Sequence, residues 1–202
     1  MLSMADLENS QVMLKVIKFL SSLLQRNAET NDVFRGFDAQ KISIFHGLTR
    51  PAISVECYLE RIFKYANCSP SCYIVAYIYL DRFAQKQPFL PINSFNVHRL
   101  LIASVLVSAK FMDDIFYNNA YYAKVGGIST VEMNLLEVDF LFGLGFQLNV
   151  SPSTFHHYCS YLQREMLFQL PPLNVAPSGI QEKKLHFHIN EDGSTHQHQL
   201  AV

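Results

Sequence analysis

Two stretches of this chain are apolar on almost every side. One is Tyr73–Leu80, in which Tyr73, Ile74, Ala76, Tyr77, Ile78 and Leu80 leave scarcely any polar face; the other is Leu100–Ala109. A helix with no polar face has nothing to offer water and belongs at the centre of a packed bundle. Both stretches carry punctuation: Ser69-Pro70 opens the first as cap and first turn, and the Gln87-Pro88-Phe89-Leu90-Pro91 run separates it from the second. No segment of five or more residues alternates convincingly, so a sheet is not expected. An all-α fold with two central helices follows.

Amphipathic helices are expected around that centre. Residues 10–27 place Val12, Met13, Val16, Ile17, Leu20, Leu23 and Leu24 on one face, opposite Gln11, Lys15, Lys18, Ser22 and Gln25. Residues 29–50 show no period and read as a connector, with Phe34, Phe37, Ile42, Ile44 and Phe45 as possible anchors. A helix from Ser54 to Ala66 turns Val55, Leu59, Ile62, Phe63 and Ala66 inward and sets Glu60 four residues before Lys64. The central helices are expected at 70–83 and 96–113. Gly126-Gly127 breaks the pattern, and Ser129 with Glu132 has the spacing of a capping box that opens a helix to about Gly143. Ser151-Pro152 starts a last helix, ending near Phe168. After Pro171-Pro172 the composition turns to Pro, Gly, Ser, Gln, Glu and His. The expected organisation is an N-terminal helix and connector over 1–53, a helical domain over 54–168, and a disordered tail over 169–202.

Composition narrows the functional classes. Sixteen basic residues stand against seventeen acidic ones, giving a formal charge of -1. That supplies no basic face for nucleic acid. No apolar run approaches the eighteen or so residues of a membrane span. The first apolar stretch follows Asp6 and Glu8 and is interrupted by Lys15 and Lys18, unlike an export signal. An intracellular protein, nuclear or cytoplasmic, is expected. Cys57, Cys68, Cys72 and Cys159 form no CxxC pair and read as buried free thiols.

Catalytic constellations are hard to assemble from these residues. Asp113-Asp114 resembles half of a magnesium-diphosphate site, but no second acidic cluster stands on another helix to share the cations. His156 and His157 are adjacent and diverge by about 100° on a helix, so they cannot share one metal. His186, His188, His196 and His198 lie in the tail without a folded shell. Gly143-Leu144-Gly145 follows a helix rather than a strand and makes no phosphate loop. No serine or cysteine comes with a base and an orienting group. The expectation is a binding module: no enzyme, cofactor, metal or small-molecule substrate.

An ordered series of motifs then points to a family. Tyr79-Leu80-Asp81-Arg82-Phe83 resembles the second-helix signature of a cyclin box. Asn96-Val97-His98-Arg99-Leu100-Leu101 leading to Ser108-Ala109-Lys110-Phe111 resembles its third helix. Lys110-Phe111-Met112-Asp113-Asp114, Tyr117-Asn118-Asn119, Tyr122 through Ile128, and Glu132 through Glu137 resemble the U-type (P-type) cyclins of plants, which are related to fungal cyclins of phosphate signalling. Ser54 through Ile62 is similar to theirs as well. The resemblance covers 54–168 and implies a single five-helix cyclin box preceded by the N-terminal helix.

It also implies roles. In cyclins the residues matching Lys110 and Glu137 face the partner kinase, and Phe111, Leu141, Phe146 and Leu148 match apolar positions of the same interface. Asp81 matches an architectural aspartate that pairs with an arginine near the start of the first helix. That arginine is missing here, leaving Arg61 or Arg82 as substitutes; Asp81 and Arg82 are thus expected to be structural. Ile53-Ser54-Val55-Glu56 lacks the Met-Arg-x-x-Leu sequence that docks substrate motifs, and Arg164-Glu165-Met166-Leu167 is a bare RxxL within a helix. The implied function is to bind and activate a cyclin-dependent serine/threonine kinase with a PSTAIRE-like helix, in cell-cycle or phosphate-linked control. The alternative is a cyclin-fold adaptor that binds proteins without activating a kinase.

Overall fold

A computed structural model describes residues 9–34 and 43–168. Seven α-helices account for nearly all of them: α1 Ser10–Phe34, α2 Val55–Tyr65, α3 Pro70–Lys86, α4 Val97–Met112, α5 Asn119–Gly126, α6 Thr130–Leu144 and α7 Pro152–Phe168. No strand occurs among the described residues. The tail 169–202 with its histidines, and the connector residues Phe37 and Ile42, lie outside them.

The two apolar stretches are the centre of the fold. In α4 every residue from Leu100 to Ala109 is buried, and α3 buries ten of its residues from Cys72 to Phe83. α3 and α4 pack against each other, and both pack against α6. Phe83 of α3 stacks on Phe140 of α6 at 5.0 Å, and Phe45 from the connector meets both rings edge-on. The contact is close enough to require glycine, since a Cβ on Gly143 would come within 2.2 Å of the Phe83 ring. Gly143 is therefore a packing residue of α6.

α1 lies on α2 and, expected ahead of the helical domain, contributes Met13, Val16, Ile17, Phe19, Leu20, Leu24 and Ala28 to the same core. It runs seven residues past its expected end at 27. The added turns carry the polar run Glu29–Asp32 and are held by distant partners: Asn31 Nδ2 donates to the Ile92 carbonyl at 2.8 Å, and Asp32 accepts from the Ser94 N–H at 3.1 Å. Another departure is α5, a two-turn helix with no expected counterpart. Asn118 caps it and Gly127, at φ 71°, ends it, while Tyr122, Ala123 and Val125 are buried. Three further expectations change. Glu60 meets Lys18 of α1 at 3.7 Å rather than Lys64, whose ammonium lies over the Tyr65 ring. Phe63 is only partly buried and Tyr58 takes its place inside. All four cysteines are free, but Cys57 is exposed and Cys68 partly so.

Candidate functional site

The Ser129 hydroxyl accepts from the Glu132 N–H, and the Glu132 carboxylate accepts from the Ser129 N–H, so α6 opens with the capping box its sequence indicates. Donation to that carboxylate from the Ser129 N–H, and after it from the Ser129 hydroxyl, holds the Glu132 carboxyl below its usual range. Arg99 of α4 adds an ion pair to the same carboxylate at 2.6 Å and also donates to the Ile44 carbonyl at 2.9 Å. The start of α6 is thereby fixed to α4 and to the connector. Its end is fixed as firmly. Gly145 is left-handed, the Phe146 N–H bonds back to the Leu141 carbonyl and the Gly145 N–H to that of Phe142.

Between these ends α6 carries two apolar stripes. Met133, Leu136, Phe140 and Leu144 are buried in the core. Val131, Leu135, Val138 and Phe142, spaced four, three and four residues apart, face outward, with Phe142 66% exposed. Phe146 joins them: its backbone takes a left-handed φ of 58°, and its ring meets that of Phe142 edge-on at 5.2 Å. Phe111 and Met112 at the end of α4, and Ile115, Phe116 and Tyr117 beyond it, are exposed too. Scattered exposed apolar residues are ordinary, but a whole stripe along one helix marks a surface for another molecule.

Lys110, near the end of α4, and Glu137 of α6 meet each other. Lys110 Nζ lies 2.6 Å from Glu137 Oε1, with their side chains 29% and 15% exposed. Asn119 Nδ2 donates to the other Glu137 oxygen at 2.7 Å. With Asn119 the two join α4, α5 and α6. The structure thus brings Lys110 and Glu137 together, with Phe111 exposed next to Lys110 in the chain and Phe146 exposed against Phe142 past the end of α6. It sets Leu141 and Leu148 partly inside, against the core. Sequence reasoning passed over Leu135, Val138 and Phe142, although an α6 apolar on both faces, and preceded by other all-apolar helices, has more apolar surface than one core contact can cover.

α3 braces the segment that carries Phe146. The Tyr79 hydroxyl donates to the Leu148 carbonyl at 2.6 Å, Arg82 donates to those of Gln147 and Asn149 at 3.1 and 2.9 Å, and Lys86 to that of Leu144 at 2.8 Å. Asp81 faces the other way. It accepts from the Tyr158 hydroxyl of α7 at 2.5 Å and from Gln85 at 3.0 Å. Neither arginine proposed as its partner forms an ion pair with it among the described residues; Arg61 instead donates to the Lys124 carbonyl at 3.2 Å. The partner Asp81 has is thus a tyrosine, and burial together with the Asp81 carboxylate pushes the Tyr158 phenol above its ordinary value.

Asp113 is occupied structurally, accepting from the Ser69 N–H at 2.9 Å, while Asp114 is exposed. Among the described residues no group of three or more His, Cys, Asp or Glu side chains is placed to hold a metal ion. A cavity of about 360 Å³ lies between α1, the residues before α2 and the start of α4, and its one arginine, Arg50, is already paired with Asp32 at 2.5 Å. No described helix is long and apolar enough to cross a membrane.

The Cyclin family model matches residues 11–148, from α1 to beyond the end of α6. The chain is 63% identical to Cyclin-U4-1 of Arabidopsis thaliana, the match covering 98% of this chain and all of that one. It is 54% identical to Cyclin-P4-1 of Oryza sativa subsp. japonica, over 96% of this chain and 98% of that one. With Cyclin-U1-1 of Arabidopsis thaliana the identity is 39%, over 89% and 83% of the two chains. Cyclins are regulatory proteins rather than enzymes, and typically bind cyclin-dependent kinases. The chain belongs to the cyclin family, and its close relatives are plant cyclins of the U and P types.

Proposed function

We propose that this cyclin binds and activates a cyclin-dependent serine/threonine kinase carrying a PSTAIRE-like helix, through the face built by the end of α4 and the outer stripe of α6. The observation that supports this most is the stripe itself: Leu135, Val138 and Phe142 stand in water along α6, the same helix whose Glu137 pairs with Lys110 of α4. A long apolar helix face fits another helix, and a charged pair set among apolar groups fixes its register. In a kinase the helix αC carries the glutamate that pairs with the phosphate-positioning lysine. Docking αC on α6 favours the conformer in which that pair is closed, which is a population shift. Moving a kinase from about 1% to about 99% active takes roughly 5.5 kcal/mol of differential binding. The cyclin supplies that difference and no catalytic group.

Lys110, Glu137, Phe111, Phe146 and the partly buried Leu141 and Leu148 are the kinase-binding residues in this reading, with Asp81 and Arg82 holding the scaffold. The working unit is the helical part, 54–168, braced by α1. It acts in the nucleus or cytoplasm, in cell-cycle or phosphate-linked control. Co-purification with candidate kinases, followed by calorimetric titration, tests the binding step. A 1:1 complex is expected with a kinase of this class, and one that forms without raising kinase activity would favour the adaptor alternative.

A further inference from the structure

Between Thr130 and Leu144, α6 carries three carboxylates and no basic residue. Two of the three are matched: Glu132 pairs with Arg99 at 2.6 Å, and Glu137 pairs with Lys110 at 2.6 Å. Asp139 is exposed, and its carboxylate has neither an ion pair nor a hydrogen bond among the described residues.

Helix geometry places Asp139 beside the outer stripe. It follows Leu135 by four residues and precedes Phe142 by three, the two spacings that make neighbours on a helix surface. Glu137, two residues earlier, leaves the helix on the opposite flank. Phe142 is 66% exposed and Phe146 57%, and their rings meet edge-on at 5.2 Å. A left-handed backbone at φ 58° turns Phe146 toward that contact, and Lys86 and Tyr79 of α3 tie down the Leu144 and Leu148 carbonyls on either side of it. An unmatched carboxylate thus stands next to two exposed rings.

The arrangement gives the fold little. Aspartate suits caps and turns better than a helix interior, and a bulky residue at positive φ is held there at a cost. The face of a phenyl ring is electron-rich, so it attracts a cation and repels a carboxylate. Among the described residues no cation lies over either ring; the cation bonded around Phe146, Lys86, donates to the Leu144 carbonyl and to Gln147 Oε1.

We propose that Asp139, Phe142 and Phe146 form a cation-recognition site, which takes a lysine or arginine side chain from the kinase helix that docks on the stripe. The carboxylate supplies the charge and the rings supply cation–π contact, and both strengthen as docking removes water. A cation read at the edge of an apolar face decides which helix is accepted and in which register. The site rests on the function proposed above and adds the feature by which a kinase is chosen. The Lys110–Glu137 pair, neutral in sum, makes no such selection by charge.

The test is calorimetric titration of a PSTAIRE-helix kinase with the full chain and with Asp139→Asn, Phe142→Leu and the two combined. Asp139→Asn keeps the shape and removes the charge; Phe142→Leu keeps an apolar surface and removes the ring. Each is expected to weaken binding about three- to tenfold, the range of a partly desolvated cation contact, with helical circular dichroism and melting temperature unchanged. The combined variant is expected to lose less than the product of the two, because both groups read one cation. Replacing the lysines and arginines of the kinase helix by glutamine, one at a time, is expected to reveal one position that weakens binding to the parent and not to Asp139→Asn. Parent-level affinity in both single variants, or no kinase position coupled to Asp139, would overturn the site and leave the proposed function standing. A parent protein that binds no kinase would contradict the function and the site with it.

Discussion

Lys110 and Glu137 show how a candidate site can be marked in sequence while its geometry is not. Motif resemblance marks both residues as facing a partner; only the fold shows that they face each other first, at 2.6 Å, with Asn119 as a third member. Their pairing shapes the mutational prediction. Lys110→Ala alone strands a carboxylate only 15% exposed, whereas Lys110→Ala with Glu137→Ala removes both charges together. The double variant is expected to keep its helical circular dichroism and to lose about 2–5 kcal/mol of kinase affinity. Wild-type affinity in titration would contradict it. His98 gives a second test. Its Nε2 lies 2.9 Å from the Ile53 carbonyl, its Nδ1 has no partner among the described residues, and burial lowers its pKa from 6.5. The fold holds it neutral, so the unfolded chain binds the extra proton as pH falls through 6.5. Its contribution is complete above that value, declines below it, and levels off beneath the depressed folded value. Melting temperature should therefore drop between pH 7.5 and 5.5, and His98→Gln, which keeps a donor for Ile53, should flatten that drop.

At the scale of elements, legibility follows periodicity. The core helices and the capping box of α6 rest on local signals, so spacing located them. α5 has only two turns, too few for a period to declare itself, and it exists because Tyr122, Ala123 and Val125 are buried by neighbours. The last turns of α1 are polar and rest on bonds to Ile92 and Ser94, more than sixty residues away in sequence. Such bonds leave no mark in a local window. Gly143 escaped for a related reason: as a helix breaker it looked terminal, but its missing Cβ admits the Phe83 ring. Gly143→Ala is expected to destabilise the fold by about 1–3 kcal/mol through overpacking. That amounts to a fall in melting temperature of roughly 2–4 °C for each kcal/mol in a chain of this size. An unchanged melt would mean that α3 and α6 are less closely seated. The outer stripe of α6 should behave in the opposite sense. Leu135→Ser with Phe142→Ser changes exposed residues and should leave stability within about 1 kcal/mol of the parent, the range of two surface substitutions.

At the scale of the molecule, the described helices form a buried bundle that presents an unburied face of α6. α3 and α4 fill the centre, α1 and α2 cover one side, and α6 spends half its apolar surface on the core and leaves half in water. Its ends are clamped, by Arg99 at one and by Tyr79, Arg82 and Lys86 of α3 just past the other. A rigid face of this kind can impose a conformation on a partner without rearranging itself, which is what activation by binding requires. The measurement that bears most directly on this is phosphotransfer by a purified PSTAIRE-helix kinase, alone, with this cyclin, and with its Leu135→Ser/Phe142→Ser variant. Activity should rise by at least two orders of magnitude with the parent protein, in line with a shift of several kcal/mol, and should stay near the kinase-alone level with the variant. Equal activation by parent and variant, with both folded, would contradict the assignment of the α6 face.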